Sequence, residues 1–536
     1  MKRFVEGYRD RRYDMIVIGG GITGAAVAYD AATRGLSVAL VEKSDFGGAT
    51  SAATSKFIHG GLRYLKTFEF GLVRESLRER RIMENIAPNF VYPVPIMFTN
   101  PSAVMRIGLF LYDVLAFDKG CTWDRRKKIP NHRSISREKV IAEEPNARRE
   151  GLRGAGIYYD CINICPERLT LAFIKSAVHY GADVANYTKV EDFIIEDGRV
   201  AGVIARDLAR GGTRMIRGAC VVNCAGPWAD EVLGLAKKGG SAATIRRSEG
   251  IHLIVKKRTG MHAVGTMTGS THFFLIPWRN HSLVGTTDRE YPGEPDGYRV
   301  TRKSIEELLD TVNADFGNGE PIRYEDVLFA YGGLRPLLDA KGDDIHTTTR
   351  KYEIHDHTAD GLPGLITAEG GKYTTSRNLA RNVLSAAERV LGRKTGKCVT
   401  DKRRLIGCDI DDMEGFIGRI QKENSDFSPA TVEYLGRHYG TDYTRVLERA
   451  RRDAKLAETV NDDGEILAQA ACAIEDEMAL TLKDILLRRT GMGTLGRPGD
   501  DVIDKVADIA EKALGWTDER RMAEIREAEK AFALPA

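Results

Sequence analysis

Three short segments of this chain place a cation one or two residues after a pair of glycines. They are Gly60-Gly61-Leu62-Arg63, Gly332-Gly333-Leu334-Arg335 and Gly370-Gly371-Lys372. Glycine has no Cβ, so the backbone at these points can pass close to a bound ring or phosphate. Arginine binds phosphate through paired hydrogen bonds, and a desolvated lysine can lose its proton near neutral pH. The pattern indicates a site in which cations meet a bound anion.

The N-terminal region has the pattern of a strand, a helix and a second strand. The apolar run at residues 14–18 predicts a buried strand that ends in glycines. Residues 22–34 predict a helix of small side chains, and residues 36–41 predict the next strand. Such a unit of about 30 residues is a βαβ motif.

Within this unit, Gly19, Gly21 and Gly24 form a GxGxxG motif, and Glu42 ends the second strand. Gly19 permits a tight turn, Gly21 lets the backbone reach a pyrophosphate, and Gly24 lets helix and strand pack closely. The helix N-terminus offers free N–H groups to the phosphates, and Glu42 can accept hydrogen bonds from a ribose. In this context the motif predicts a dinucleotide-binding site.

Two later features favour FAD over NAD. Residues 50–62 are rich in Ser, Thr and Gly, so their N–H and hydroxyl groups can follow a long cofactor. Residues 223–228 end another buried strand with small residues and bring backbone to the cofactor a second time. We predict noncovalent FAD, because His59 and Cys224 lie in no recognisable attachment motif. The predicted cofactor contacts beyond the glycine turn and Glu42 are Thr50, Ser51, Ser55, Lys56, Gly60, Gly61, Leu62, Ala225, Gly226 and Gly371.

The order of elements predicts an α/β chain, α+β overall. We expect a Rossmann-like FAD-binding domain interleaved with a mixed-sheet substrate domain, followed by an all-helical C-terminal cap. The predicted boundaries are 13–90, 150–235 and 345–395 for the FAD-binding domain, 91–149 and 236–344 for the substrate domain, and 396–536 for the helical domain.

Composition excludes several classes. A chain of 536 residues with 42% hydrophobic and 29% charged residues can build large cores, so global disorder is not expected. The net charge of +3 and the lack of a basic stripe argue against nucleic acid. The eight cysteines form no CxxC pair, so no metal site is predicted. No leader segment is evident, and we expect a cytoplasmic protein.

With these motifs the chain resembles the FAD-dependent glycerol-3-phosphate dehydrogenases. The most specific block is TSKFIHGGLRYL at residues 54–65, and further matches include MRIGLFLYD, NCAGPW, GTTD, YGGLRPL and GGKYTT. The resemblance covers roughly residues 13–395. Small departures at Cys224, Gly332, Tyr373 and Ser376 remove no charged group.

The resemblance implies oxidation of glycerol 3-phosphate to dihydroxyacetone phosphate by hydride transfer from C2 to FAD N5. It assigns Arg63, Tyr64 and Arg350 to the phosphate, and it places Arg335 and Lys372 near the C2 hydroxyl. His59 and His252 are further candidates for the catalytic base, or else neutral residues that line the flavin.

Three alternatives stay open. The first is an oxidase on the same scaffold that passes electrons to O₂, although family oxidases carry an insertion without an obvious counterpart here. The second is an amino-acid oxidase or demethylase of the wider fold. The third is a flavin-binding or tRNA-modifying protein without small-molecule turnover.

Residues 103–128 suggest contact with a membrane. Their first part is apolar and aromatic, and their second part carries Trp123 and the cations Lys119, Arg125, Arg126, Lys127 and Lys128. This composition is typical of a segment at an anionic lipid surface, on the inner face of the cell membrane. A lipid-dissolved quinone would then be the acceptor. A buried helix with a solvated basic loop is the alternative, and a homodimer is compatible with either.

Overall fold

The computed structural model describes residues 1–237, 245–268, 271–315, 320–337 and 351–536. The strands are, in chain order, β1 (Arg12–Ile18), β2 (Val38–Val41), β3 (Phe57–Ile58), β4 (Val91–Thr99), β5 (Arg133–Ser136), β6 (Gly154–Asn163), β7 (Asp183–Ala185), β8 (Thr188–Glu196), β9 (Arg199–Asp207), β10 (Thr213–Asn223), β11 (Arg246–Lys256), β12 (Ala263–Thr268), β13 (Thr271–Trp278), β14 (His281–Gly285), β15 (Arg289–Glu290), β16 (Val327–Leu337), β17 (Tyr352–Asp356) and β18 (Leu365–Gly370).

The helices alternate with these strands and then take over the C-terminal region. They are α1 (Ile22–Thr33), α2 (Phe70–Ile86), α3 (Ala103–Leu115), α4 (Arg137–Glu143), α5 (Pro166–His179), α6 (Ala229–Ala236), α7 (Arg302–Asp315), α8 (Ser376–Leu391), α9 (Met413–Glu423), α10 (Pro429–Tyr439), α11 (Tyr443–Arg452), α12 (Ala468–Glu477), α13 (Leu482–Asp484), α14 (Asp500–Leu514) and α15 (Asp518–Phe532). The predicted β1–α1–β2 unit is confirmed, with its ends within two residues of the expected ones.

The first sheet has a parallel centre in the order β18-β10-β1-β2-β7. β17 extends it antiparallel at one edge, and the β8–β9 hairpin joins it through β10. The hairpin turns at Asp197 and Gly198, both with positive φ, as the Asp-Gly pair predicts. Because β1, β10 and β18 are parallel neighbours, the backbone that follows each of them leaves the same edge of the sheet.

The second sheet is mixed, in the order β15-β11-β14-β13-β12-β4-β6-β3, with β16 paired to β11 and β5 paired to β6. Three of its strands, β3, β4 and β6, come from the N-terminal half of the chain. The strand β6 pairs with β4 from Ala155 to Asn163 and therefore belongs to the second sheet. It nevertheless lies within the range 150–235 that was expected for the FAD-binding domain.

Helix α1 is buried on nearly all sides between α5 and α8, which its small side chains permit. The helices from α9 onward form the predicted all-helical C-terminal region, so the expected fold class is confirmed. This region is joined to α5 by a buried ion pair, in which the Arg168 guanidinium lies 2.9 Å from the Glu477 carboxylate.

The segment 103–128 differs in part from the prediction. α3 packs its Leu109 and Tyr112 side inward and exposes the opposite apolar side. Lys127, predicted to face lipid headgroups, is buried instead and donates to the Val91 carbonyl at 2.8 Å. The burial of Lys127 could not be predicted from the basic run alone. A buried ammonium needs hydrogen-bond acceptors, and here these are backbone carbonyls of residues distant in the sequence.

Candidate functional site

The glycine turn is closed by backbone that leaves no room for side chains. A Cβ on Gly24 would lie 1.9 Å from the Gly19 carbonyl oxygen, and one on Gly19 would lie 2.6 Å from the carbonyl oxygen of Cys224. Gly19 also has a φ of 103°, which favours glycine. The turn therefore holds β1, α1 and the end of β10 at backbone contact, as a dinucleotide-binding turn requires.

Glu42 lies where a ribose would be expected. One of its carboxylate oxygens accepts a hydrogen bond from the Gly20 N–H at 2.6 Å, and the other accepts one from the Ser44 N–H at 2.8 Å. At the helix N-terminus, the Ile22 N–H donates to the Ser51 hydroxyl at 2.9 Å. The predicted residues Gly19, Gly21, Glu42 and Ser51 thus meet at one end of the site.

A single cavity of about 1760 Å³ runs from this end to the cation cluster. Ordinary small-ligand pockets measure roughly 300–1,000 Å³, so the cavity has room for an extended dinucleotide and a substrate. The predicted residues that line it are Gly19, Gly21, Glu42, Thr50, Ser51, Ser55, His59, Gly61, Leu62, Arg63, Tyr64, Ala225, Gly226, His252, Arg335, Gly371 and Lys372. The residues present therefore fit an extended FAD that begins at the glycine turn.

Some predicted contacts lie elsewhere. Lys56 is buried away from the cavity, with its ammonium 2.8 Å from the Glu167 carboxylate and close to the ring of Tyr331. Gly60 lies behind the cavity wall and serves packing, because a Cβ there would come within 2.4 Å of the Tyr112 hydroxyl. Arg350 lies outside the described residues.

The cation cluster is built around Tyr64. The Lys372 ammonium lies 4.1 Å from the centre of the Tyr64 ring, and the Arg63 guanidinium lies 4.9 Å from it. Arg63 also donates to the Tyr64 hydroxyl at 3.1 Å, and Lys372 donates to the Ser76 hydroxyl at 3.1 Å. Burial, together with the charge of Arg63, lowers the pKa of Lys372 to about 7. The amine can therefore take up or release a proton near neutral pH.

Arg335 reaches the same cavity from β16. Its guanidinium donates to the Thr286 hydroxyl at 2.7 Å and pairs with the Asp288 carboxylate at 3.1 Å. The segment 285–288 that supplies these partners is the GTTD motif of the sequence. A guanidinium held at several points is preorganised to face a developing negative charge.

Two histidines complete the wall near the cluster. Burial and the charges of Lys372 and Arg63 lower the pKa of His59 to about 3. Burial and the charge of Arg335 lower the pKa of His252 well below its ordinary range. The Nε2 atom of His252 lies 2.8 Å from the Ser55 hydroxyl, and its ring stacks on Tyr331. The lowered pKa values make both rings weak bases, so Lys372, with a pKa of about 7, fits the role of proton acceptor better than either histidine.

A buried ionic network that supports the backbone before Arg63 was not predicted from the sequence. The Asp160 carboxylate pairs with the Arg80 guanidinium at 2.6 Å, and it accepts hydrogen bonds from the Tyr112 hydroxyl at 2.8 Å and from the Gly60 N–H at 3.2 Å. This network fixes the backbone just before Arg63. The signal in the sequence was an aspartate inside the apolar run of β6, since a lone buried charge needs a partner.

One arm of the cavity is apolar and reaches the surface beside α3. Its inner wall consists of Phe57, Ile96, Phe98, Met105, Leu111, Tyr158 and Phe274. At the surface it is bordered by the exposed side chains of Phe68, Phe70, Val104 and Ile107. The arm joins the cation cluster to the exposed apolar face of α3.

Comparison with known proteins agrees with this geometry. A family model described as FAD dependent oxidoreductase matches residues 14–377, and one described as the C-terminal domain of alpha-glycerophosphate oxidase matches residues 398–521. The chain is 35% identical over 520 residues to glycerol-3-phosphate dehydrogenase 2 of Mycobacterium bovis, covering 94% of this chain and 86% of the relative.

Two further relatives differ in their described activity. The chain is 29% identical over 598 residues to the alpha-glycerophosphate oxidase of Streptococcus pyogenes, covering 96% of this chain and 94% of the relative. A crystal structure of glycerol-3-phosphate dehydrogenase from Bacillus halodurans, complexed with FAD, superposes with a TM-score of 0.79 at 28% identity, covering 98% of this chain and 95% of that chain.

The close packing at the glycine turn leads to a direct prediction. We expect Gly24→Ala to weaken FAD binding roughly 10-fold or more, because the added methyl group must push α1 away from the Gly19 carbonyl. The measurement is the ratio of FAD to protein after purification and after incubation with excess FAD. Gly234→Ala in α6, where a Cβ meets nothing within 4 Å, is the matched control. Full FAD content in Gly24→Ala would contradict the assignment.

Proposed function

The chain belongs to the FAD-dependent oxidoreductase family, and from this membership we propose that it oxidises glycerol 3-phosphate to dihydroxyacetone phosphate. The observation that carries the proposal is that Arg63, Lys372 and Arg335 line the same cavity as the glycine turn. FAD is the cofactor, and a noncovalent attachment stays a prediction. Relatives described as glycerol-3-phosphate dehydrogenase support the choice of substrate.

Arg63 and Tyr64 bind the phosphate in this proposal. Both line the cavity, and the Arg63 guanidinium is largely enclosed by it, so an anion there meets little competing water. The hydrogen bond from Arg63 to the Tyr64 hydroxyl holds the two side chains together. Arg350, predicted for the same role, stays a prediction.

Lys372 and Arg335 act on the C2 hydroxyl. The neutral Lys372 Nζ accepts the hydroxyl proton, and Arg335 stabilises the negative charge that develops on the oxygen. FAD, when bound, supplies the two-electron acceptor for the hydrogen at C2. The enclosed walls exclude water, and the neutral rings of His59 and His252 add no competing positive charge.

We propose a quinone as the electron acceptor. The apolar arm gives an apolar ring a path from the α3 surface to the cofactor. The alignment with the streptococcal oxidase runs over 598 residues, more than the 536 of this chain, so that oxidase has residues without a counterpart here. The match of residues 398–521 to an oxidase domain makes O₂ the second candidate acceptor.

The α3 face is the proposed contact with a lipid surface. Val104, Ile107, Phe110 and Val114 follow each other at helical spacing and are each at least half exposed. Arg125, Arg126 and Lys128 are exposed nearby, while Lys127 is not available. In the part of the chain that the structure describes, no helix is both long and apolar enough to cross a bilayer. The proposed contact is therefore peripheral, on the inner face of the cell membrane.

The division of roles within the cation cluster can be measured. Under anaerobic conditions glycerol 3-phosphate should bleach the flavin absorbance, and glycerol should not. Arg335→Ala should lower kcat by ~10²–10³, because its charge acts mainly in the transition state. Arg63→Ala should mainly raise KM, because phosphate is bound in both ground and transition states.

The matched control is Arg302→Ala on the exposed side of α7, which should leave both constants close to those of the unchanged chain. All variants should keep their FAD. A normal kcat in Arg335→Ala at full FAD content, or equal bleaching by glycerol, would contradict the proposed function.

Membrane contact is tested with the double variant Ile107→Glu and Phe110→Glu. We expect it to lose co-sedimentation with anionic vesicles and to lose rapid flavin reoxidation by a vesicle-dissolved quinone, while turnover with a water-soluble dye persists. Met522→Glu, at an exposed apolar residue of α15, is the control and should behave like the unchanged chain. Reoxidation that needs only O₂, with or without vesicles, would favour the oxidase instead.

A further inference from the structure

The loop after Glu42 lies between the cavity and the helical C-terminal region. Residues 43–45, 47 and 48 line the cavity at the end where Glu42 and the glycine turn meet. The Gly47 N–H donates to the Gly20 carbonyl at 3.0 Å, so the loop and the turn are joined directly. Any displacement of this loop would therefore move Glu42 and Gly20, on which the adenosine end of the site depends.

The Asp45 carboxylate is almost completely buried between the loop and the helical C-terminal region. It pairs with Arg489 through two hydrogen bonds, of 2.6 and 2.7 Å, and with the Arg488 Nε at 2.9 Å. It also accepts a hydrogen bond from the Asn186 amide at 2.9 Å. Paired bonds of this kind between arginine and a carboxylate are among the strongest and most directional hydrogen bonds in proteins.

Both arginines are held by their own region before they reach the loop. Residues 485–489 form a single π-helical turn that follows α13, a rare feature that occurs often at functional sites. Arg488 also pairs with Asp484, and the Arg489 Nε donates to the Glu477 carbonyl at 3.0 Å. Neither arginine lines the cavity. Both act on it through the loop: they pair with Asp45, and Arg488 also lies beside Gly48.

We propose that the helical C-terminal region serves as a clamp for FAD, with Arg488 and Arg489 holding Asp45 and thereby fixing the loop that positions Glu42 and Gly20. The two arginines are positioning residues that act through Asp45 and its loop, since neither lines the cavity. The clamp gives the C-terminal region a role in cofactor retention that is independent of the substrate and of the electron acceptor.

The test compares FAD affinity with apoprotein stability in Asp45→Asn and Arg489→Met. The matched control is Glu477→Gln, which disrupts the buried pair with Arg168 in the same junction, while its side chain contacts no residue of the loop. For each protein the Tm without FAD, the rise in Tm on adding FAD, and the Kd for FAD are measured. None of these readouts involves glycerol 3-phosphate, so failure of the clamp and failure of the proposed function are distinguishable.

We expect both clamp variants to raise the Kd for FAD about 10-fold or more and to reduce the FAD-dependent rise in Tm. The double variant should bind FAD no more weakly than the worse single variant, because both remove one interaction. Glu477→Gln should lower the Tm of the apoprotein yet keep the Kd for FAD close to that of the unchanged chain.

Should either clamp variant fail to fold, Arg488→Gln removes one contact at a partly exposed guanidinium and should give a smaller rise in the Kd. A Kd for FAD that is unchanged in the clamp variants, or that rises equally in Glu477→Gln, would overturn the proposal and leave the junction a stabilising contact only.

Discussion

The burial of Lys372 beside the charged Arg63 is the constraint on which the site depends. Both cations are enclosed by the same cavity wall, and burial already disfavours the charged form of each. Arginine keeps its proton, so the lysine yields, and its pKa lies near 7. In the proposed function, this buried pair supplies both the anion-binding group, Arg63, and the neutral amine, Lys372.

The fold brings these groups together from distant parts of the chain. Arg63 follows β3, Arg335 lies on β16, and Lys372 follows β18. The first sheet directs its parallel strand ends to the cavity, and the second sheet supplies the part of the wall that carries Arg335. Pairs of glycines occur where backbone must pass close to other groups: a Cβ on Gly61, for example, would lie 2.9 Å from the Lys372 ammonium. Rigid elements therefore position every charge of the cluster.

Short sequence motifs were enough to predict the β1–α1–β2 unit and most of the cation cluster. The β1–α1–β2 unit and the glycine turn follow from apolar periodicity and from three glycines whose spacing has one physical explanation. The cations of the cluster were found through the glycine pairs that precede Arg63, Arg335 and Lys372. These signals are contained within a few consecutive residues, and for that reason they can be read without knowledge of the fold.

The features that the sequence did not predict depend on contacts between residues that are distant in the chain. Lys56 sits within a cofactor-lining segment but turns toward Glu167, and Lys127 sits in a basic run but is buried under Val91. The support from Asp160 and the junction at Asp45 need partners about 80 to 440 residues away. A sequence shows that such a charge requires a partner but does not say which residue provides it.

Lys372 is the proposed proton acceptor. The pH dependence of kcat/KM tests this role most directly. The pKa of Lys372 is lowered, so the neutral amine is present above about pH 7 and is lost as the pH falls. We expect kcat/KM for glycerol 3-phosphate to rise through an inflection near pH 7, distinct from that of a phosphate monoester near ~6. In Lys372→Met, the residual kcat/KM should be lower by ~10²–10⁴ and should keep only the inflection of the substrate. An inflection near pH 7 that persists unchanged in Lys372→Met would contradict the account.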